Sequence, residues 1–355
     1  MAVYIINYLS LPVYAKIFSR KKFVVIVSIQ MFFILALRAE NLGVDLPMYQ
    51  YGFNYIYNMS FSDMISSLRV IQNARLPYPM SFESGWVALN WFSSHIGFSF
   101  HAFLVLCAGI NMISCGIFIY RYSEMPWLSF AIISSMNIYA YMFGILRQSL
   151  ALSIIVIALI LLDEEKKWQC FVLFLLAFLI HRTAILSFPL FFLMKQKSIK
   201  KNTFSIAVLI WPIFVLVSHI IYSNVIEKAM VSIGIGYLGH GLKWNNQIGL
   251  LIIICIAIIA LYDFEQAETR MQCISIGSTI VALYWGAIGM YNDVLSRSMQ
   301  YFVFFITISI PEVLNHFWDE RVVRLGKFFA FILLFLFMIN NLQDSDITPY
   351  RLVGF

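Results

Sequence analysis

Arg38, Arg147, Arg182 and Arg297 each stand at the end of an apolar run, in a chain that carries few charges. A guanidinium is a planar fork that grips phosphate or carboxylate through two bonds, which the ammonium of lysine does not do. Each arginine has chemically useful company. Arg38 opens the stretch Arg-Ala-Glu-Asn-Leu-Gly-Val-Asp-Leu-Pro-Met-Tyr, which brings Asp45 and Tyr49. Arg147 and Gln148 begin a long apolar helix, whose N-terminus adds partial positive charge for an anion. His181-Arg182-Thr183 turns between two apolar runs. Asp293 and Arg297 are four residues apart, a spacing that pairs them on one helix face.

Each of these has a plainer reading. An arginine at the end of a span can snorkel to lipid phosphate. A lone histidine at a turn is usually a hydrogen-bonded structural residue. Glu83, two residues before Gly85, reads first as the N-cap of a helix and second as a proton acceptor for a hydroxyl. Asp45, Glu83, His181 and Asp293 all remain open as the base. Four arginines on one side, with acids and a histidine nearby, favour a shared anion-binding cavity. The expectation is that Arg38, Arg147, His181 and Arg297 converge, with Asp45 at the rim.

Other chemistry finds no pattern. The five cysteines (Cys107, Cys115, Cys170, Cys255, Cys273) lie in apolar runs without paired spacing, so neither a disulfide nor a metal site is expected. The run Gly234-Ile-Gly-Tyr-Leu-Gly matches G-x-G-x-x-G by letters but follows no strand, so a dinucleotide site is rejected. It reads as an external loop touching ligand through Tyr237, His240 and Trp244. No cofactor is expected.

The elements that must hold these groups are membrane helices. Of 355 residues, 61% are hydrophobic and 12% charged, against about a quarter charged in soluble domains. The whole chain, 1–355, reads as one all-α integral membrane domain. The net charge of +6 reflects topology rather than nucleic-acid binding. The first apolar run ends at Ser-Arg-Lys-Lys (19–22) and not at a small-residue cleavage site, so no cleavable signal is expected. Placing the lysine-rich loops inside puts both termini outside, with external loops at 38–84 and 222–246. Residues 60–75 read as an amphipathic surface helix. Gly85–Gly97 is too short to cross and reads as re-entrant or interfacial. Trp168–Met194 reads as a hairpin of short helices. The count is about 12 transmembrane helices plus the partial one. On this topology the outer face takes only Lys228 and Lys243 among lysines. Its arginines are Arg38, Arg69, Arg75, Arg147, Arg182, Arg297 and Arg351.

Three patches then carry a likeness: Arg38…Gly43-Val44-Asp45…Tyr49, Arg147-Gln148…Ala151, and His181-Arg182-Thr183. A fourth is Arg297 followed by Tyr301-Phe302. In order and spacing the chain resembles the EpsG-type branch of the Wzy polysaccharide polymerases over roughly residues 23–305. Val44 and Leu46 stand where that family often has threonine. The resemblance implies a GT-C-like glycosyltransferase of the bacterial inner membrane with its active site facing the periplasm. It joins oligosaccharide repeat units carried on undecaprenyl pyrophosphate, for O-antigen or exopolysaccharide. Lipid is its medium, and a chain-length regulator and a flippase are its expected partners. Asp45, Glu83 and His181 become candidates for proton transfer. Arg38, Tyr49, Arg147, Gln148, Arg182 and Arg297 become candidates for holding pyrophosphate and glycan. The rival with similar chemistry is an O-antigen ligase. The rival of another class is a lipid-linked oligosaccharide flippase or transporter, for which inverted repeats and midplane charges are missing from the sequence.

Overall fold

The computed structural model describes residues 1–67, 82–196, 198–232, 242–244, 246–261, 266–267, 269–315, 320–343 and 345–354. Apart from one antiparallel pair of two-residue strands, β1 (Ile199–Lys200) and β2 (Gln266–Ala267), its regular elements are helices. Among the described residues, five helices are long and apolar enough to cross a membrane: Phe100–Tyr122, Leu146–Asp163, Lys201–Ser232, Arg270–Gly289 and Glu320–Gln343. A sixth arises if Asp293–Val303 and Ile306–Asn315, bent by 44°, form one span. This is a membrane protein.

The contacts divide the chain into two units. The first comprises Met1–Arg121, Pro126–Ile185 and Ile332–Phe355. It contains α1 (Ala2–Ile17), α2 (Arg20–Ala36), α3 (Leu46–Tyr57), α4 (Phe61–Ser67), α5 (Ser84–His95), α6 (Phe100–Tyr122), α7 (Pro126–Ser135), α8 (Ile138–Gly144), α9 (Leu146–Asp163) and α10 (Lys167–Ile180). Tyr49 of α3, Trp86 of α5, Phe103 of α6, Leu146 of α9 and Ile180 of α10 belong to one buried apolar cluster. That cluster is the floor on which the polar residues are set.

Several elements differ from the sequence expectation. Residues 38–84 are expected as an external loop, yet α3 occupies Leu46–Tyr57, with Pro47 in its first turn. There the missing N–H of proline has no helical partner to lose. Of the amphipathic helix expected at 60–75, α4 covers Phe61–Ser67; its remainder, with Arg69 and Arg75, lies outside the described residues. α5 is short as expected: 12 residues reach about 18 Å, against a hydrocarbon core of about 30 Å. It stops at Gly97, whose φ of +93° suits glycine.

The last residues of the chain close the first unit. Ala39 donates its N–H to the Arg351 carbonyl at 2.8 Å, and Val353 donates to Leu37 at 2.9 Å. Arg38 and Leu352 thereby form an isolated antiparallel bridge. Tyr350 Oη donates to the Ile34 carbonyl at 3.0 Å, and Tyr4 Oη donates to Ile347 at 2.8 Å.

The second unit, Tyr122–Met125 and Leu186–Phe331, holds α11 (Phe188–Leu193), α12 (Lys201–Ile221), α13 (Glu227–Ser232), α14 (Asn246–Leu261), α15 (Arg270–Gly289), α16 (Asp293–Ser298), α17 (Gln300–Val303) and α18 (Ile306–Asn315); α19 (Glu320–Gln343) begins in it. The external loop expected from Tyr222 is helical to Ser232, because a π turn at Tyr222–Ile226 joins α12 to α13. Residues 233–241, with the glycine run and its Tyr237 and His240, lie outside the described residues. α15 starts with a capping box: Thr269 Oγ1 accepts from the Gln272 N–H at 3.1 Å, and Gln272 Oε1 accepts from the Thr269 N–H at 3.0 Å.

Candidate functional site

Glu83 is the hub of the first unit's polar cluster. Its Oε2 accepts from Arg147 Nη1 at 2.5 Å. Its Oε1 accepts from His181 Nδ1 at 3.0 Å and from the backbone N–H of Arg182 at 3.2 Å. Glu83 occupies the N-cap position of α5, but its side chain makes no cap hydrogen bond. The capping role read from the sequence is therefore replaced by a tertiary one. The carboxylate faces α9 and α10, where a guanidinium and an imidazole outbid one exposed N–H.

Aromatic rings fix the Arg147 end. The guanidinium lies 5.0 Å from the Phe82 ring centroid and 5.7 Å from that of Tyr49, and Arg147 Nε donates to Tyr49 Oη at 3.4 Å. Such cation–π contacts gain strength when water is excluded. Tyr49 is 2% exposed and stands behind Arg147.

Two glycines bring the backbones close enough for this. A Cβ on Gly85 would sit 2.7 Å from the carbonyl of Leu179, so the first turn of α5 can approach the last turn of α10 only without a side chain. Gly43 has φ of +144°, and a Cβ there would sit 2.7 Å from the Cα of Gly144 and from the Phe143 oxygen. That contact holds the Arg38–Asp45 stretch beside the turn that opens α9. The sequence marks Gly85 as the start of a short helix but shows no close backbone approach at Gly85 or Gly144. A glycine inside a helical pattern is the only signal either offers.

Protonation follows from the partners. Burial alone would push the Glu83 carboxyl up, but Arg147 and His181 outweigh it and hold it well below the usual carboxylate range. An ionised carboxylate only accepts, so His181 Nδ1 carries the proton it donates. In the neutral ring the lone pair is then on Nε2, which no described residue bonds. Side-chain exposure separates the roles: His181 and Arg147 are each 16% exposed and Glu83 3%. Glu83 is the most buried of the three and holds the other two in place.

The other expected residues fall as follows. Asp45 is half-buried at the start of α3, close enough to Tyr49 to act on its charge. Gln148 is buried in the first turn of α9. Arg182 is half-buried and held through its backbone. Arg38 is fully buried and is not bonded to Glu83, Arg147 or His181. Its Nη1 donates to the Leu35 carbonyl at 2.5 Å, its guanidinium lies 5.3 Å from the Phe143 ring centroid, and its Nε and Nη2 have no partner among the described residues. Arg297 is half-buried on α16 of the second unit, after an N-cap in which Asn292 Oδ1 accepts from the N–H groups of Val294 and Leu295. Among the described residues no group of three or more histidine, cysteine or acidic side chains has the arrangement of a metal site.

No curated protein and no solved structure matches the chain. The family model of the EpsG family matches residues 21–352. That span takes in every residue of the Glu83 cluster, and the chain belongs to the EpsG family.

Proposed function

We propose that this protein is a polysaccharide polymerase, a glycosyltransferase that joins oligosaccharide repeat units carried on undecaprenyl pyrophosphate. The observation that carries the reading is the Glu83 carboxylate held between Arg147 and His181, which leaves His181 Nε2 as an oriented proton acceptor. A hydroxyl oxygen of the incoming repeat attacks the anomeric carbon of the growing chain. The bond from that carbon to the pyrophosphate oxygen breaks, and the lipid pyrophosphate leaves with the electron pair. The hydroxyl proton passes to His181 Nε2. Arg182, anchored beside the imidazole, and the exposed edge of Arg147 meet the charge that builds on the leaving group. Stabilising that charge is usually the largest electrostatic contribution to such a step. Membership of the EpsG family supports the same reading.

The proposed setting is the bacterial inner membrane, with the cluster on the periplasmic face. About 12 crossings in a GT-C-like bundle would need the shorter apolar helices, such as Ala2–Ile17 and Lys167–Ile180, to cross locally thinned bilayer. Asp45 would orient an acceptor hydroxyl at the rim.

The test is His181→Asn. The amide keeps a donor for Glu83 and loses the acceptor nitrogen. Polymer formation should fall about 10²- to 10⁴-fold, the usual loss with a general base, while the protein still accumulates in the membrane. A deletion strain should keep a single attached repeat and lose the ladder. An unchanged ladder with His181→Asn overturns the assignment, and loss of all attached repeats on deletion points to a ligase or flippase.

A further inference from the structure

We infer that the pocket at the C-terminal end of α5 is a second glycan subsite, which takes uncharged sugar residues of the oligosaccharide about 18 Å along the helix from Glu83, at 1.5 Å per residue. The proposal rests on the polymerase reading for the origin of its ligand, but on separate residues.

The pocket has a volume of about 630 Å³ and is lined by Tyr57, Ser94, His95, Gly97, Phe98 and Ser99. Binding clefts for small molecules run from about 300 to 1,000 Å³. Two aromatic rings stand together on its wall: those of Tyr57 and His95 are 5.8 Å apart and inclined at 41°, in contact with each other. The His95 ring is stacked on Trp91 at 3.9 Å, and His95 Nδ1 donates to the Trp91 carbonyl at 2.8 Å. Trp91 is fixed in turn by its Nε1, which donates to the Met59 carbonyl at 3.0 Å. The imidazole is thus held flat, and its Nε2 makes no hydrogen bond with a described residue. Tyr57 is 56% exposed, and its hydroxyl likewise has no partner among the described residues. Gly97 leaves one side open, since a Cβ there would meet nothing within 4 Å.

The chemistry selects the ligand. Among the described residues no lysine, arginine, aspartate or glutamate lines the pocket, so a phosphate or a lipid headgroup finds no counter-charge in them. The exposed ring of Tyr57 beside hydroxyl and imidazole groups suits a pyranose, whose C–H face is apolar and whose rim is a ring of hydroxyls. Rigid aromatic walls lose little entropy when they bind. A subsite one helix length from the reacting carbon would hold chain already made while the next repeat adds.

The experiment uses the full-length protein in detergent and a repeat-unit oligosaccharide released by mild acid from the cells' own lipid-linked pool. Equilibrium binding is measured for wild type, Tyr57→Ala, His95→Ala and Tyr57→Phe, and each variant's polymer ladder is read in cells beside Glu83→Gln. Tyr57→Ala and His95→Ala should each weaken binding about three- to tenfold, the range that follows from losing one aromatic contact, and shorten the ladder. Tyr57→Phe should keep most binding, because the face remains. If Tyr57→Ala fails to accumulate, His95→Ala carries the test. Wild-type affinity in both alanine variants overturns the subsite, even where Glu83→Gln abolishes polymer. Weakened binding in them with an intact ladder in Glu83→Gln leaves the subsite standing and overturns the polymerase reading at Glu83.

Discussion

Gly85 touches the backbone of Leu179 so closely that a Cβ would lie 2.7 Å from its carbonyl carbon and oxygen. This one approach sets Glu83 against His181 across 98 positions of sequence. Gly85→Ala should therefore lose about 1–3 kcal/mol of stability, the usual cost of forcing atoms into a packed contact, and most polymer with it. Gly109→Ala is the control: its Cβ would meet Phe32 at an ordinary 3.8 Å, and alanine favours the helix by roughly 0.5–1 kcal/mol. Thermal unfolding of the two variants in one detergent checks the contrast, and equal effects would sink it.

Glu83→Gln should show its cost in a pH-dependent way. The folded pKa of Glu83 is depressed, so its contribution is fully present above the unfolded carboxylate value, about 4.3. It is lost as pH falls through the folded value. The stability gap between wild type and Glu83→Gln should be constant from neutral pH to about 5 and should narrow below about 4. Unfolding midpoints across that range test the sign. A gap that widens in acid would mean that Glu83 is not held ionised.

Arg147→Lys should lose most polymer while the protein still inserts. A lysine keeps the charge but cannot serve Glu83 and Tyr49 together from one nitrogen while covering the Phe82 ring. Arg351→Lys should be silent, because Arg351 joins the fold through its backbone carbonyl and its side chain is exposed. The ladder on a gel distinguishes them, and two silent replacements would reduce Arg147 to an anchor.

The topology is open to labelling. Asp346→Cys, on the exposed tail, should react with a membrane-impermeant thiol reagent from the periplasm. Ser198→Cys, in the lysine-rich segment before β1, should not. Labelling of Ser198→Cys in sealed cells would reverse the reading of α5 as a partial helix.

Much of the helical plan was legible because long apolar runs and lysine loops are local signals. The start of α9 at Arg147 and the turn at His181 were legible for the same reason. The Glu83 pairing was not, since an acid just before a short helix looks like a cap whatever it faces. α3 was hidden by Pro47, which marks a helix start as readily as an end. Arg38 shows the opposite case: its type and position suggest a ligand contact, while its burial under the 347–353 segment depends on residues more than 300 positions later, which no local pattern shows. Asp45, Gln148 and Arg182 illustrate a middle case: each lies next to a residue of the Glu83 cluster or its aromatic wall, and what its side chain does there depends on packing that no local pattern shows.

The bridge between Arg38 and Leu352 has a consequence for how the molecule is made. Tyr350 and Ile34 are 316 positions apart, so the segment around Arg38 cannot close until the chain has been made past Leu352. The Gly43 contact that seats Asp45 beside α9 follows directly on that segment. A chain made only just past α10 already carries Glu83, Arg147 and His181, yet its Arg38 still lacks the bridge to Leu352, so one of the earliest segments of the fold is among the late ones to be sealed.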